Sequence, residues 1–331
     1  MTLTKTSMHA RPTAKRTLTG HSRKIQAMAW HKDSKSLIVA DQGGNLVLWD
    51  AKMKLRKKFV LAPFMLAATL HPEKNLAVVG GMENIINVYD INPELGTDCK
   101  LVKQLEGHDG YISSLLYMDN AAKANTLLSS GGDGSIIAWD EDTWQKKAEF
   151  IGHTDGCGSL CKPMNGCDDV NMFATASSDQ TVRIWDLRSG QSSYTLHVPA
   201  GSNRCCFYPT GTAIAAGCTN GTVYVYDLRS QTPFCTHERN KSSVSSMDVS
   251  KSGRAIYVGY DDGIVCGWDS FFASDPSAHA FKLDAHQTSG TSHSGTVHQR
   301  KVAHLSFAPD GSCFATGGFD SLIKIWGPTT K

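Results

Sequence analysis

The chain has 331 residues, 40% of them hydrophobic, and its 33 Lys and Arg against 31 Asp and Glu leave a net charge of only +2. That balance excludes the broad basic footprint of a nucleic-acid binder. No run of 18 apolar residues offers a membrane-spanning helix, and the N-terminus has no apolar signal-peptide core. Length alone would allow two domains, but short apolar runs divided by Gly, Asn, Asp and Ser clusters point to an all-β protein.

In chain order, residues 1–13 are polar and basic, with Lys5 and Arg11, and are expected to be disordered. Residues 14–19 read as a short strand ahead of Gly20-His21. From there a closing pair recurs: Trp49-Asp50, Tyr89-Asp90, Trp139-Asp140, Trp185-Asp186, Tyr226-Asp227, Trp268-Asp269 and the incomplete Trp326-Gly327. The intervals are 40, 50, 46, 41, 42 and 58 residues, against roughly 40 to 45 for WD40 repeats. Gly-His openers stand at Gly20-His21, Gly107-His108 and Gly152-His153, with Ala285-His286 as a decayed one. Seven such units in one register predict a seven-bladed WD40 β-propeller of four-stranded blades over residues 14–331.

Before each closing aromatic lies a β-branched run such as "TVRIWD" or "TVYVYD", the pattern of a strand buried between neighbouring blades. Only five residues follow Trp326, too few for an outer strand. The last blade must therefore borrow that strand from the N-terminus, which closes the ring. Two stretches break the period: a longer loop over 91–103, and a Ser/Thr/Gly/His-rich insertion over 287–298, both expected at the surface.

Six residues before the closing aromatic, the tight turn carries Asp133, Asp179, Asp262 or Asp320 in four repeats, and Gly43, Glu83 or Asn220 in the rest. A turn Asp can accept from turn amides and from the opener's His, which in turn reaches a Ser or Thr and the closing Trp. The expected complete networks are His108 with Asp133 and Trp139, His153 with Asp179 and Trp185, and His286 with Asp320 and Trp326. These are read as structural braces. An enzyme needs one His–Asp–Ser triad, whereas a propeller needs several braces.

No P-loop, dinucleotide-type glycine fingerprint or zinc-protease helix occurs. His286, His293, His298 and His304 have no common metal-ligand spacing. Cys157, Cys161 and Cys167 lack a completing paired motif. The ten cysteines are scattered and often mid-strand, which suits small reduced core residues. The triplets Asn220-Gly221-Thr222 and Asn240-Lys241-Ser242 are then without glycan significance. The protein is read as non-catalytic, with no metal or cofactor.

"KRTLTGHSRKIQAMAW", "GGMENIINVYD", "LEGHDGYIS", "SKSGRAIYVGYDDGIVCGWD" and "FATGGFDSLIKIW" resemble the repeats of the β subunit of heterotrimeric G proteins over about residues 15–327. The resemblance implies a narrow ring face that holds a G protein α subunit in its GDP state and contacts effectors. Position by position it assigns that contact to Lys24, Asn84, Tyr111 and Asn203. Phe64 and Phe319 stand where the family has tryptophan, and Leu66 and Met82 keep apolar character. Aromatic anchors with an adaptable Met and a few polar groups suit a protein interface. Gln26, Gly158, Gly201 and Thr219 depart from the family's contact residues.

The family's N-terminal helix, which forms a coiled coil with a γ subunit, has no match in residues 1–19, which contain Pro12 and no apolar heptad seam. The γ contact is therefore not carried over. The implied location is cytoplasmic, with attachment to the inner face of the plasma membrane through partners. A competing reading is a WD40 adaptor outside G-protein signalling, either a ribosome-associated scaffold or a cullin-ligase substrate receptor. Trp185-Asp186-Leu187-Arg188 fits the W-D-x-R pattern of such receptors, with Tyr226-Asp227-Leu228-Arg229 as an echo.

Overall fold

A computed structural model of the chain describes residues 11–50, 52–92, 99–118, 126–163, 171–239, 242–270, 281–286 and 300–328. Most of the 1–13 segment, part of the 91–103 loop and the whole 287–298 insertion, with Cys167, His293 and His298, lie outside the described residues.

The described strands form seven four-stranded antiparallel sheets. The first blade runs outward from the ring axis through Ile25–Trp30 (β2), Leu37–Asp41 (β3), Asn45–Trp49 (β4) and Leu55–Val60 (β5). The other inner strands are Met65–Leu70 (β6), Ile112–Met118 (β10), Cys157–Cys161 (β14), Ser202–Phe207 (β18), Val244–Val249 (β22) and Val302–Phe307 (β26). Each inner strand contacts the next, and β26 contacts β2, so the array closes on itself. The third strands are the β-branched runs of the repeat, from β4 to Ile323–Gly327 (β28). Among the described residues no helix is long and apolar enough to cross a membrane.

Burial within a blade follows strand position. Every residue of β3 is buried, because neighbouring blades cover both faces of the sheet. The outer strand Lys100–Leu105 (β9) is exposed except at Leu105. Its edge is blunted by Lys100, Lys103 and Gln104, as unpaired strands require.

Blades interlock through small residues. A Cβ placed on Gly80 would lie 2.7 Å from Ile112 of the next blade, and one on Gly317 would lie 2.7 Å from Ile25. The bare backbone at these positions lets a β-branched side chain of the following inner strand sit flush against the sheet. The Gly317–Ile25 contact repeats this packing across the point where the ring closes.

Closure also rests on strand pairing between the two ends of the propeller. Thr13–Leu18 (β1) pairs antiparallel with β28, from Thr13 opposite Gly327 to Leu18 opposite Ile323, and supplies the outer strand of the seventh blade. The strand begins one residue earlier than the sequence suggests. Trp30 Nε1 donates to the Ser306 carbonyl at 3.2 Å, and the Asp310 amide donates to Ser34 Oγ at 2.9 Å, so the same junction is pinned again on the opposite rim.

Candidate protein-binding rim

One rim is defined by a repeated backbone bond. In each blade the amide just after the second strand donates to the carbonyl just before the inner strand. The pairs are Gln42 to Lys24, Met82 to Phe64, Gly132 to Tyr111, Ser178 to Gly156, Thr219 to Gly201, Asp261 to Ser243 and Phe319 to Lys301, at 2.8 to 3.3 Å. Five of the eight residues expected at the partner site, Lys24, Phe64, Met82, Tyr111 and Phe319, occupy this ring of positions. Asn84 follows two residues after Met82, and Leu66 and Asn203 sit on the inner strands two residues past the ring's carbonyls.

The side chains are not equivalent. Met82 is 56% exposed, Phe64 48% and Tyr111 41%. Lys24 holds its ammonium 4.8 Å over the half-buried Phe319 ring. These five form an apolar arc with one cation over blades seven, one, two and three. Leu66 is half-buried in the wall of the central channel. Asn203 is turned into the ring, where its Nδ2 donates to Ser243 Oγ at 3.1 Å and the Val244 carbonyl at 3.0 Å. Asn84 spans two blades by donating to the Asp109 carbonyl at 3.2 Å.

Backbone geometry separates structural from unusual positions. The turn after the second strand needs a left-handed residue, which is Gly44, Gly134, Gly221 or Gly263 in four blades and Asn84, Gln180 or Ser321 in three. The conformation of Asn84 is therefore ordinary turn chemistry. Phe64 is different. Its φ of 60° has no counterpart at the matching positions of the other blades, and a bulky residue held there stores about 1–3 kcal/mol. Tyr111 is seated by a missing side chain, since a Cβ on Gly132 would come within 2.3 Å of its ring.

The rim loops are held from below by the His–Asp networks. His108 Nδ1 meets Asp133 Oδ2 at 3.0 Å and His108 Nε2 meets Ser129 Oγ at 2.8 Å, while Trp139 Nε1 donates to Ser129 Oγ at 2.9 Å. The fourth blade repeats this with His153, Asp179, Thr175 and Trp185 at 2.8, 2.7 and 2.8 Å. The seventh repeats it with His286, Asp320, Thr316 and Trp326 at 2.9 Å throughout. Since a carboxylate only accepts, Nδ1–H donates to the Asp, which leaves Nε2 to accept from the hydroxyl, and the hydroxyl oxygen accepts from the Trp. The Asp109 amide also donates to Asp133 at 2.8 Å, which ties the loop bearing Tyr111 to the turn.

Burial works to raise the Asp179 carboxyl, but bonds from Thr181, His153 and the Thr154 amide outweigh it and hold the pKa at about 2. Burial lowers the His153 pKa, against the pull of Asp179. Asp262 instead pairs with Arg239.

Two features escaped the sequence reading. The first blade has its brace Asp two residues early: His21 Nδ1 meets Asp41 Oδ2 at 2.9 Å, and Asp41 Oδ1 accepts from the Gly43 amide at 2.9 Å. The run "ADQGG" carried that signal. Val39 fills the Ser/Thr position there, and His21 Nε2 and Trp49 Nε1 are buried without a partner. On the opposite rim His71 Nε2 meets Glu141 Oε2 at 2.7 Å, across two blades, with no local sequence mark.

Arg188 doubles back on Asp186, with Nε at 3.0 Å and Nη2 at 2.6 Å from its oxygens. Arg229 does the same with Asp227. Both W-D-x-R-type arginines are thus engaged within their own turns. The described cysteines are free thiols.

The family model described as G protein beta WD-40 repeat protein matches residues 4–327. The chain belongs to that family. It is similar to guanine nucleotide-binding protein subunit beta from Oryza sativa subsp. japonica and from Zea mays, at 29% identity over 329 residues in each case. It is 27% identical to the subunit of the same description from Arabidopsis thaliana. Each comparison covers 94% of this chain and 82% of the relative. The protein is thus a G protein β-subunit-like propeller scaffold, in a family whose propellers are generally not catalysts.

Proposed function

We propose that this Gβ-like scaffold holds a G protein α subunit in its GDP state, and effectors in turn, on the rim that carries Lys24, Phe64, Met82, Tyr111 and Phe319. The observation that carries this reading is the exposure of Phe64, Met82 and Tyr111 side by side on one rim. A contiguous aromatic and Met arc with few charges has the composition of an interface core. The strained Phe64 adds support, because strain of that kind concentrates at functional positions. Leu66, Asn84 and Asn203 then act as flanking positions, and Asn203 chiefly orders neighbouring blades. The three His–Asp braces support the rim loops. The scaffold would work in signal transduction in the cytoplasm, reaching the inner face of the plasma membrane through its partners.

The test is capture of a GDP-loaded α subunit by the purified chain, with and without a γ chain. Tyr111→Ala and Phe319→Ala should each weaken capture about tenfold or more, as interface anchors do. If they mainly unfold the protein, the arc is core and the site assignment fails. Recovery of ligase adaptor subunits from cells, without any α subunit, would favour the adaptor reading instead.

A further inference from the structure

The inner strands of the fourth and fifth blades approach more closely at one point than side chains normally allow. A Cβ on Gly158 would lie 2.6 Å from the Asn203 carbonyl oxygen. One residue on, Ser159 Oγ accepts from the Cys205 amide at 3.0 Å and fixes how β14 and β18 lie against each other. The result is that Cys161 Sγ and Cys205 Sγ stand 3.3 Å apart, on different blades, in the wall of the axial channel. That channel encloses a cavity of about 370 Å³.

The neighbouring thiols face elsewhere. Strand alternation turns Cys206 to the other side of β18, where it packs in the core shared with the sixth blade, while Cys205 packs in the core shared with the fourth. Cys157 lies against the Gly134 carbonyl at 3.6 Å, on the third-blade side. Cys161 therefore has Cys205 as its thiol neighbour and is not paired with Cys157.

We propose that Cys161 and Cys205 form a peroxide-sensitive dithiol that closes to a disulfide between the fourth and fifth blades. Hydrogen peroxide, small enough to enter the channel, is the oxidant. One sulfur displaces hydroxide from the peroxide bond and becomes a sulfenic acid, its thiol proton leaving with the hydroxide as water. The second sulfur then attacks the sulfenic sulfur, forms the S–S bond and expels a second water that carries its own proton. Two thiols are oxidised and one peroxide is reduced to two waters. Closing the bond needs a sulfur movement from 3.3 Å to about 2.05 Å. Burial raises the Cys161 thiol well above its ordinary range, and the hydrogen bond with Cys205 adds to this. Proximity therefore favours the second step, while the first draws on the small thiolate fraction that burial leaves, so the oxidation should be slow and need excess peroxide. The staple would lock two blades directly beneath the rim positions Gly158 and Asn203. It stands apart from what the rim binds.

The experiment is peroxide treatment of the whole chain, alkylation of the remaining thiols, proteolysis without reductant and mass spectrometry with fragmentation. The expected product is a peptide pair linked through Cys161 and Cys205 in the wild type. It should be lost on adding a reductant, absent in Cys161→Ser and Cys205→Ser, and retained in Cys206→Ser. Peroxide should also raise the melting temperature of the wild type by about 3 to 6 °C, and not that of Cys161→Ser. Unchanged alkylation of Cys161 and Cys205 after peroxide, or linkage of Cys161 to Cys157 or Cys206, would overturn the proposal. The wild-type mapping decides by itself should a variant fail to fold.

Discussion

The ammonium of Lys24, in the first blade, stands 4.8 Å over the ring of Phe319, in the seventh, and Lys301 approaches the same ring at 5.9 Å. The pair spans the junction where the ring closes, so it is both a contact of closure and part of the proposed partner surface. A cation over an aromatic face contributes about 0.5–1 kcal/mol at a site this open. With partial loss of apolar burial, Phe319→Ala should destabilise by about 1–2 kcal/mol. Capture of an α subunit should fall much further than that cost predicts. Melting curves beside pull-down titrations separate the two quantities.

Asp179 should matter for stability rather than for binding. It accepts from His153 at 2.8 Å, Thr181 Oγ1 at 2.6 Å and the amides of Thr181 and Thr154 at 2.9 and 3.1 Å. Asp179→Ala leaves those donors unsatisfied and should cost about 1–3 kcal/mol. Its folded pKa of about 2 lies below the ordinary 3.8. The stabilisation is therefore complete above about pH 4 and is lost as pH falls from there through about 2. Urea titrations of wild type and variant at pH 7 and pH 3 should show the gap narrowing at the lower pH.

The first blade offers the reverse experiment. His21 Nε2 and Trp49 Nε1 are buried and unpartnered, and Val39 occupies the place of Ser129, Thr175 and Thr316 in the complete networks. Val39→Thr adds a hydroxyl of nearly the same shape that can accept from Trp49 and donate to His21. It should stabilise by about 1 kcal/mol. A shift of the denaturation midpoint the other way would mean that the new hydroxyl is buried without those partners.

Several histidines are held neutral, and this sets a pH trend. His71 Nδ1 accepts from the Glu73 and Lys74 amides at 2.9 Å each, so its proton sits on Nε2 and faces Glu141. Burial lowers the pKa of His71, and also that of His21 and His153. It takes His237 down to about 4 and His304, beside Arg204, to about 3. A depressed folded pKa means that the unfolded chain binds the extra protons first. Stability from these groups is full above about pH 6.5 and is lost as pH falls below it, at up to about 1.4 kcal/mol per pH unit for each. Asp248, raised to about 6 by burial, acts in the opposite sense. The histidines outnumber it. Unfolding midpoints should therefore drop steadily from pH 7 to pH 5, and a flat profile would contradict the assigned protonation states.

Much of the architecture was legible because its causes are local. The closing aromatics and the alternating third strands depend on neighbours within a few residues and mark all seven blades, and a turn Asp adds to them in four. The short strand read ahead of Gly20-His21 is the one that pairs with β28. The candidate site was only partly legible. Exposure sorts Phe64, Met82 and Tyr111 from Leu66 and Asn203, and no pattern along the chain carries exposure. Asp41 stands two residues ahead of the turn position that the other repeats mark, so the repeat spacing points to Gly43 instead.

By itself, then, the sequence determined the repeat, the blade count and the closure, since each is a matter of spacing within or between adjacent repeats. The tertiary structure alone decided which side chains meet across blades. His71 reaches Glu141 over 70 positions, Cys161 meets Cys205 over 44, and Trp30 reaches Ser306 over 276. These contacts depend on how far one sheet rotates against the next. That rotation is set by the packing of small residues such as Gly80, Gly158 and Gly317 against the neighbouring blade, and it exists only once the ring has closed.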